Sequence, residues 1–124
     1  MIPKFRARDE RGNWHVGLLT FMFGQYAIVN EADENTVYLI DKETVGQSTG
    51  LRDKNGVEIF EGDVLYYIPF ESHINDSIVV FEKGSFCKKM LRNGKLTSVR
   101  FIDSEEYEVI GNVYENPELL EVAE

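Results

Sequence analysis

The sequence has little of what cross-links, exports or anchors a protein. Its 124 residues include a single cysteine, Cys87, so no disulfide can form within the chain. Secreted domains of this size more often carry paired cysteines, and we therefore expect a cytoplasmic location. No stretch approaches the roughly 18 consecutive apolar residues of a membrane span. The charged N-terminal segment also has no apolar signal region, so neither export nor membrane insertion is expected.

Apolar residues at helical spacing are also nearly absent. Short runs of β-branched and aromatic residues recur instead about every eight to twelve residues, which is typical of a sandwich or barrel. With 43% hydrophobic and 28% charged residues, the chain has the composition of an ordinary globular protein. We expect a mainly β fold that ends in one short helix at Pro117 to Val122, with Asn116 as its N-cap.

The clearest local pattern is Gly50 to Val64, which predicts a tight β-hairpin leading into a third strand. Asp53 is expected to accept hydrogen bonds from nearby backbone N–H groups, while Gly56 takes a left-handed conformation. Asp63 is interpreted as a structural cap at the start of the next strand. Asn93-Gly94 predicts a second hairpin, with both residues in a type I′ turn.

Three segments together resemble the YopX-like proteins of bacteriophages and prophages: KFRA at Lys4 to Ala7, the segment Thr49 to Leu65, and the segment Glu108 to Leu120. The chain departs from the family at Arg8, where an aromatic residue is usual. The resemblance implies a β-rich fold whose C-terminal half is an SH3-like small barrel. It implies no established activity and no catalytic or ligand-binding residue.

We therefore expect one YopX-like domain over residues 1–124. Within it, residues 1–62 are interpreted as an N-terminal β-meander and residues 63–124 as the SH3-like barrel.

Two short motifs suggest chemistry but lack the context that this chemistry needs. Gly46 to Gly50 matches the G-x-S-x-G nucleophile elbow, yet a hairpin follows it where that motif requires a helix, so Ser48 is interpreted as a strand residue. Asp53 to Gly56 resembles part of a calcium loop, but the positions for its first and last ligands fall on Leu51 and Gly62. Neither residue has a side-chain ligand atom.

The remaining candidate catalytic and metal-binding groups show no diagnostic spacing. Acidic residues cluster near the central hairpin, whereas the histidines and the cysteine are far apart. Acids on exposed turns are usually solvated, and burial that separates their pKa values cannot be read from a sequence. We expect no enzyme activity, catalytic residue, cofactor or metal. The groups considered are Glu58, Glu61, Asp63, His15, His73 and Cys87.

A basic segment between Phe81 and Phe101 is the best sequence candidate for a binding face. Cations interleaved with aromatic residues on strands can hold single-stranded nucleic acid. Strand alternation that puts phenylalanines in the core and lysines in water would give the same pattern. The net charge of −9 argues against indiscriminate binding to nucleic acid. The candidate contacts are Lys83, Phe86, Lys88, Lys89, Arg92, Lys95 and Arg100.

The region from Asp103 to Glu124 contains no lysine or arginine. It is either a solvated face or a patch aimed at a basic partner, and one alternative is an acidic DNA mimic that inhibits a host protein. Our favoured hypothesis is an uncharacterised phage or prophage accessory protein with a non-enzymatic binding role. Contact with a protein partner, or self-association, is favoured over nucleic-acid contact, and no membrane contact is expected.

Overall fold

The chain forms two compact units. The computed structural model describes residues 3–70, 73–82, 84–98 and 106–120. The first unit comprises Met1–Ser48 and the second comprises Thr49–Glu124. The two units divide the chain between Ser48 and Thr49. The sub-part boundary between residues 62 and 63 stays a prediction.

The first unit is an antiparallel sheet. Its strands are β1 (Phe5–Arg8), β2 (Trp14–Met22), β3 (Gln25–Asn30), β4 (Val37–Leu39) and the beginning of β5 (Gly46–Arg52). They lie in the order β4-β3-β2-β1-β5, and a short 3-10 turn at Lys42–Thr44 precedes β5. Alternation at residues 4–8, a turn at residues 9–12 and an apolar run at residues 14–23 predict a first hairpin, and short runs at residues 26–29 and 36–40 predict two further strands. The strands β1 to β4 confirm these predictions.

Strand alternation explains the core of this unit. Ala7 and Ile28 are fully buried, Ile40 is nearly so, and partly buried apolar residues pack around them. On the opposite face of β1, the guanidinium of Arg6 lies 4.9 Å from the centre of the Trp14 ring. The surrounding apolar residues are Phe5, Leu19, Tyr38 and Val45.

The second unit contains a five-stranded antiparallel sheet. Its order is β10-β9-β8-β7-β11. The strands are β7 (Asp63–Tyr67), β8 (Ser77–Glu82), β9 (Ser85–Met90), β10 (Leu96–Ser98) and β11 (Tyr107–Asn112). Before them, β6 (Glu58–Phe60) follows the central hairpin and lies beside β5. The core contains Ile59, Leu65 and Val79, surrounded by Leu51, Phe86, Tyr107 and Val109.

The mainly β fold is confirmed, but the SH3-like barrel is not. In the described part of the chain, β10 and β11 are the two edges of the sheet, and no pairing closes it into a barrel. The helices described there are 3-10 turns: Lys42–Thr44, Ile68–Phe70, His73–Asn75 and Pro117–Leu120. None of them has the length and apolar character needed to span a bilayer.

The expected C-terminal helix is a four-residue 3-10 turn, Pro117–Leu120. Residues 121–124 lie outside the described part of the chain. Asn116 does not use its side chain as the predicted cap, because Asn116 Oδ1 accepts a hydrogen bond from the backbone of Asn112 at 3.3 Å. The turn is held instead by the bond from Leu119 N–H to the Asn116 carbonyl.

Both predicted hairpins form. At the central hairpin, Asp53 Oδ1 accepts from the N–H groups of Asn55 and Val57, and Gly56 has a φ of 80°. Asp63 opens β7 and accepts the N–H of Phe60, as a strand cap should. The second hairpin has a longer loop than the predicted type I′ turn, since Met90 N–H bonds to the Lys95 carbonyl. Four residues then separate the paired ends, and Gly94 supplies the positive φ of 71°.

Candidate interaction site

The first unit carries a groove of about 810 Å³, which we call the charged groove. It is bounded by the β1–β2 loop, the end of the β2–β3 hairpin and the start of the 3-10 turn before β5. A second groove of about 580 Å³ shares part of this wall and extends to His15 and Tyr38. The ionic side chains along the charged groove are Arg8, Asp9, Glu10, Arg11, Asp41 and Lys42.

Asp9 organises the loop that forms one wall of both grooves. Its Oδ1 accepts hydrogen bonds from the N–H groups of Arg11 and Asn13 at 2.9 and 3.0 Å. Its Oδ2 lies 2.8 Å from Nε2 of His15, whose ring stacks on Tyr38 with centroids 3.7 Å apart. The hydrogen bonds, above all the one with His15, lower the pKa of Asp9 to about 2. Because three groups hold this carboxylate, the wall is a fixed feature of the unit.

An exposed aromatic pair borders the charged groove. Phe21 on β2 and Tyr26 on β3 face each other across the hairpin with their ring centroids 5.1 Å apart and edge to face. Their exposed fractions are 61% and 40%. At the tip of the same hairpin, Phe23 is 89% exposed. These three residues form what we call the aromatic tip.

The aromatic tip does not follow from the strand pattern of the sequence. The apolar run of residues 14–23 predicts one long strand, whereas β2 ends at Met22 and Phe23 lies in the turn. Two signals were available: Gly24 marks a turn, and no charged residue occurs between Val16 and Asn30. An uncharged hairpin with aromatic residues at its end is unusual on a protein surface, where large apolar patches commonly mark interaction sites.

The predicted nucleic-acid face is only partly present. Lys89, Arg92 and Lys95 are exposed around the β9–β10 hairpin. Phe86 packs against the core, and Lys88 is buried, with its ammonium donating to the Tyr107 hydroxyl at 2.8 Å. These two side chains are committed to the interior of the unit. Lys83 and Arg100 lie outside the described residues.

The groups considered for catalysis lie in separate environments. His15 contacts Asp9 and Tyr38, while Nδ1 of His73 lies 2.8 Å from Oδ2 of Asp76. The Sγ of Cys87 lies 3.9 Å from the carbonyl oxygen of Ser85, and the Ser48 backbone N–H donates to the Lys4 carbonyl within the sheet. In the described ranges, neither histidine forms a hydrogen bond with a serine or cysteine.

The acidic residues near the central hairpin include two that hold the backbone in place by hydrogen bonds. Asp53 and Asp63 accept backbone N–H groups, and both are almost fully buried. Glu58 and Glu61 are half-buried. No group of three or more potential metal ligands occurs within the described residues. In the acidic region Asp103 to Glu124 the structure describes residues 106–120, where Glu106, Glu115 and Glu118 are exposed and Glu108 is half-buried.

The two-sheet antiparallel architecture defines an all-β protein. Protein EF1440 from Enterococcus faecalis shares this fold: it is 26% identical, the match covers 98% of this chain and 99% of that chain, and the TM-score is 0.59. Protein yopX from Bacillus subtilis is 20% identical over 100% of both chains, with a TM-score of 0.57. A comparison with curated proteins finds no match.

The family model described as YopX protein matches residues 4–121. The chain therefore belongs to the YopX family, which confirms the resemblance found in its three sequence segments.

Proposed function

We propose that the protein is a non-enzymatic protein-interaction module that binds through the charged groove and the aromatic tip. The observation that carries this proposal is the exposed Phe21–Tyr26 pair, which lies directly on the edge of the groove. Both residues are on paired strands of an antiparallel sheet, so their positions are fixed before any partner arrives. A partner therefore meets a preorganised surface, which reduces the entropic cost of binding.

The chemistry of this surface suits a protein partner. Protein interfaces combine a few aromatic anchors with a rim of polar and charged groups that sets orientation. Phe21 and Tyr26 supply large rigid rings, and the groove beside them supplies three cations and three anions. The mixture of signs supports pairing with a protein surface over a polyanion, which would need a predominance of positive charge.

The non-enzymatic part of the proposal is supported by the separation of the reactive groups. A nucleophilic mechanism needs a base within hydrogen-bonding distance of the nucleophile. His15 and His73 are instead bonded to aspartates. An Asp–His pair alone can orient an imidazole, but it provides no nucleophile.

Single-stranded nucleic-acid binding is a weaker alternative. It is supported only by the exposed cations Lys89, Arg92 and Lys95 at the β9–β10 hairpin. Three phosphate contacts to a single strand correspond to a salt slope of about −2 in a plot of log affinity against log salt. A labelled oligonucleotide titrated at low and moderate salt tests this alternative, and an absence of binding at low salt removes it.

We propose the bacterial cytoplasm as the compartment and a phage or prophage as the genetic source. The single cysteine supports a reducing compartment. The family resemblance supports an accessory role in the host, where the partner would be a host or phage protein.

The proposed contact surface is tested by affinity capture from host cells with three forms of the tagged protein. These are the wild type, the double variant Phe21→Ala/Tyr26→Ala, and the control Phe81→Ala. The control removes one ring of a similar cross-strand pair in the second unit, where Phe81 and Phe86 lie 5.0 Å apart and Phe81 is 47% exposed. Thermal denaturation of all three confirms that each is folded.

We expect the wild type and the Phe81→Ala control to retain the same protein, and the double variant to lose it by about tenfold or more, as for aromatic hot spots. Equal capture by all three forms would show that the partner binds elsewhere. If only the Phe81→Ala control failed to capture the partner, the binding site would lie on the second unit.

A further inference from the structure

The tip of the β2–β3 hairpin is built from a residue that does not suit its conformation. Met22 pairs with Gln25, so the turn consists of Phe23 and Gly24 alone. Their φ angles are 54° and 77°, and a type I′ turn requires positive φ at both positions. Glycine, asparagine and aspartate are the usual residues there, because a bulky side chain is strained in the left-handed region.

The backbone strain at Phe23 is not offset by burial of its side chain in the folded unit. Its side chain is 89% exposed, so it contributes almost no apolar burial. Within the described part of the chain, it is the only non-glycine residue with a positive φ. A strained residue that persists at an exposed tip points to a role in binding rather than in stability.

The groove beside this turn can hold an aromatic side chain. Its volume of about 810 Å³ far exceeds that of one phenyl ring, and Gly24 is part of its wall. Phe21 and Tyr26 offer ring edges and faces to a third ring, and the exposed guanidinium of Arg11 can lie against its π face. A ring that projects from one molecule would therefore find both apolar and cationic contacts in another.

The charges of the groove are balanced in sign. Arg8, Asp9, Glu10 and Arg11 form a basic-acidic-acidic-basic series, and Asp41 and Lys42 face it with one charge of each sign. The three cations and three anions cancel, so two copies of this face meet without a net like-charge repulsion between the faces. A surface designed for an anionic bilayer would instead carry an excess of lysine and arginine.

We propose that two copies of this chain associate through this face, with Phe23 of each copy inserted into the charged groove of the other. The projecting ring and the receiving groove lie on the same unit and share Gly24. One two-fold contact can therefore satisfy both insertions, and the assembly closes as a dimer. This inference rests on the proposed function, because it identifies a second copy of the chain as a partner of the proposed surface.

Sedimentation velocity of the full chain over a wide concentration range tests the inference. The variants are Phe23→Asn, which suits the turn, Phe23→Tyr, which keeps the ring, and Phe81→Asn as the control. We expect the wild type, Phe23→Tyr and the control to form concentration-dependent dimers. Phe23→Asn should weaken dimerisation by about tenfold or more, as expected for loss of an interface hot spot. A wild type that stays monomeric throughout, or a Phe23→Asn variant that dimerises normally, would overturn it.

Thermal denaturation at concentrations below dimer formation separates misfolding from loss of the contact. Because asparagine tolerates positive φ, Phe23→Asn should melt a few degrees higher than the wild type. A lower melting temperature would contradict the strain on which the inference depends.

The two proposals can fail separately. A monomeric wild type that still captures a host protein through Phe21 and Tyr26 retains the proposed function and removes the dimer. A dimer that depends on Phe23, with host-protein capture unaffected by the Phe21→Ala/Tyr26→Ala change, retains the dimer and removes the hetero-partner surface. Binding of the wild type to vesicles of anionic lipid through Phe23, without dimerisation, would also overturn the inference.

Discussion

The carboxylate of Asp53 accepts the backbone N–H of Val109 at 2.9 Å, and the two residues are 56 positions apart in the sequence. Beside this bond, the N–H of Lys54 donates to the Tyr107 carbonyl at 3.1 Å. The central hairpin thus occupies hydrogen-bonding groups of β11, which is an edge strand of its sheet. Covered edges resist pairing with other chains, so this hairpin protects the second unit from edge-to-edge association.

The first prediction concerns Asp53. Its two oxygens accept three backbone N–H groups and its side chain is almost fully buried, so Asp53→Ala should lower the free energy of unfolding by about 3 kcal/mol. Asp53→Asn keeps one acceptor and should cost about half as much. Urea denaturation followed by circular dichroism measures both values, and amide exchange at Val109 should accelerate in each variant.

Asp33→Ala is the matched control for Asp53, because the Asp33 carboxylate accepts only local bonds, from Asn35 and Thr36. Asp33→Ala should lower the free energy of unfolding by much less than Asp53→Ala does. Equal losses at the two positions would show that the bond to Val109 contributes nothing.

The second prediction compares two aspartates that each lie 2.8 Å from a histidine nitrogen. The hydrogen bond with His15 and bonds from the backbone lower the pKa of Asp9 to about 2. Burial raises the pKa of Asp76 above 3.8, although its bond with His73 acts in the opposite direction. Carbon-13 NMR titration should show the two carboxyl groups on opposite sides of 3.8. Identical values would exclude burial as the cause.

The consequences for stability have opposite signs. Asp9 stabilises the folded state above pH 3.8, and this contribution is lost as the pH falls towards about 2. Asp76 holds its proton more tightly when folded, so its contribution to stability falls as the pH rises from 3.8 through its folded pKa. His15→Gln should raise the pKa of Asp9, and His73→Gln should raise that of Asp76 further.

The third prediction concerns Gly17, which is buried between β1 and β3. A Cβ at this position would overlap the carbonyl group of Val29 and lie 3.1 Å from the Glu31 nitrogen. Gly17→Ala should therefore cost at least about 3 kcal/mol, because the backbone of a paired strand must move. Thermal denaturation measures the loss.

Gly12→Ala is the control on the same hairpin. Its φ is 86° and its Cβ would meet nothing within 4 Å, so only the backbone strain of about 1 kcal/mol applies. If Gly17→Ala were no more destabilising than Gly12→Ala, the close approach of Val29 would not constrain the sheet.

The fourth prediction contrasts neighbouring lysines on β9. Lys88 is 6% exposed and its ammonium lies 4.2 Å from the centre of the Tyr107 ring, whereas Lys89 is exposed. Lys88→Ala should cost about 2 kcal/mol through lost packing and an unsatisfied Tyr107 hydroxyl, and Lys89→Ala less than about 0.5 kcal/mol. Chemical denaturation checks both values. If Lys89→Ala lowered the free energy of unfolding more than Lys88→Ala, the result would contradict the burial of Lys88 and the exposure of Lys89 on this strand.

Much of the fold could be predicted from the sequence, because local rules determine it. The hairpin from Gly50 to Val64 follows from the hydrogen-bonding capacity of Asp53 and the left-handed φ of Gly56. The bond from Asp53 to Val109 could not be predicted, since nothing in a local pattern identifies a partner 56 residues away. The barrel expectation came from the family resemblance, whereas the described sheet ends at β10 and β11 without closing.

The candidate sites were less predictable, because they depend on which face of a strand is buried. Phe86 and Lys88 are two residues apart on β9, so alternation places them on the same face. That face is the core, and a predicted surface cation is consequently buried. The run that predicts a strand from Trp14 continues through Phe23, yet Gly24 makes the two-residue turn in which Phe23 is held.

Site-specific photocrosslinking in host cells tests the central claim most directly. A photoreactive phenylalanine analogue would replace Tyr26, on the edge of the charged groove, or Phe81, its counterpart in the second unit. The interaction module predicts a discrete protein adduct from position 26 and none from position 81. Adducts from position 81 alone, or none from position 26, would contradict the assignment of the binding surface to the first unit.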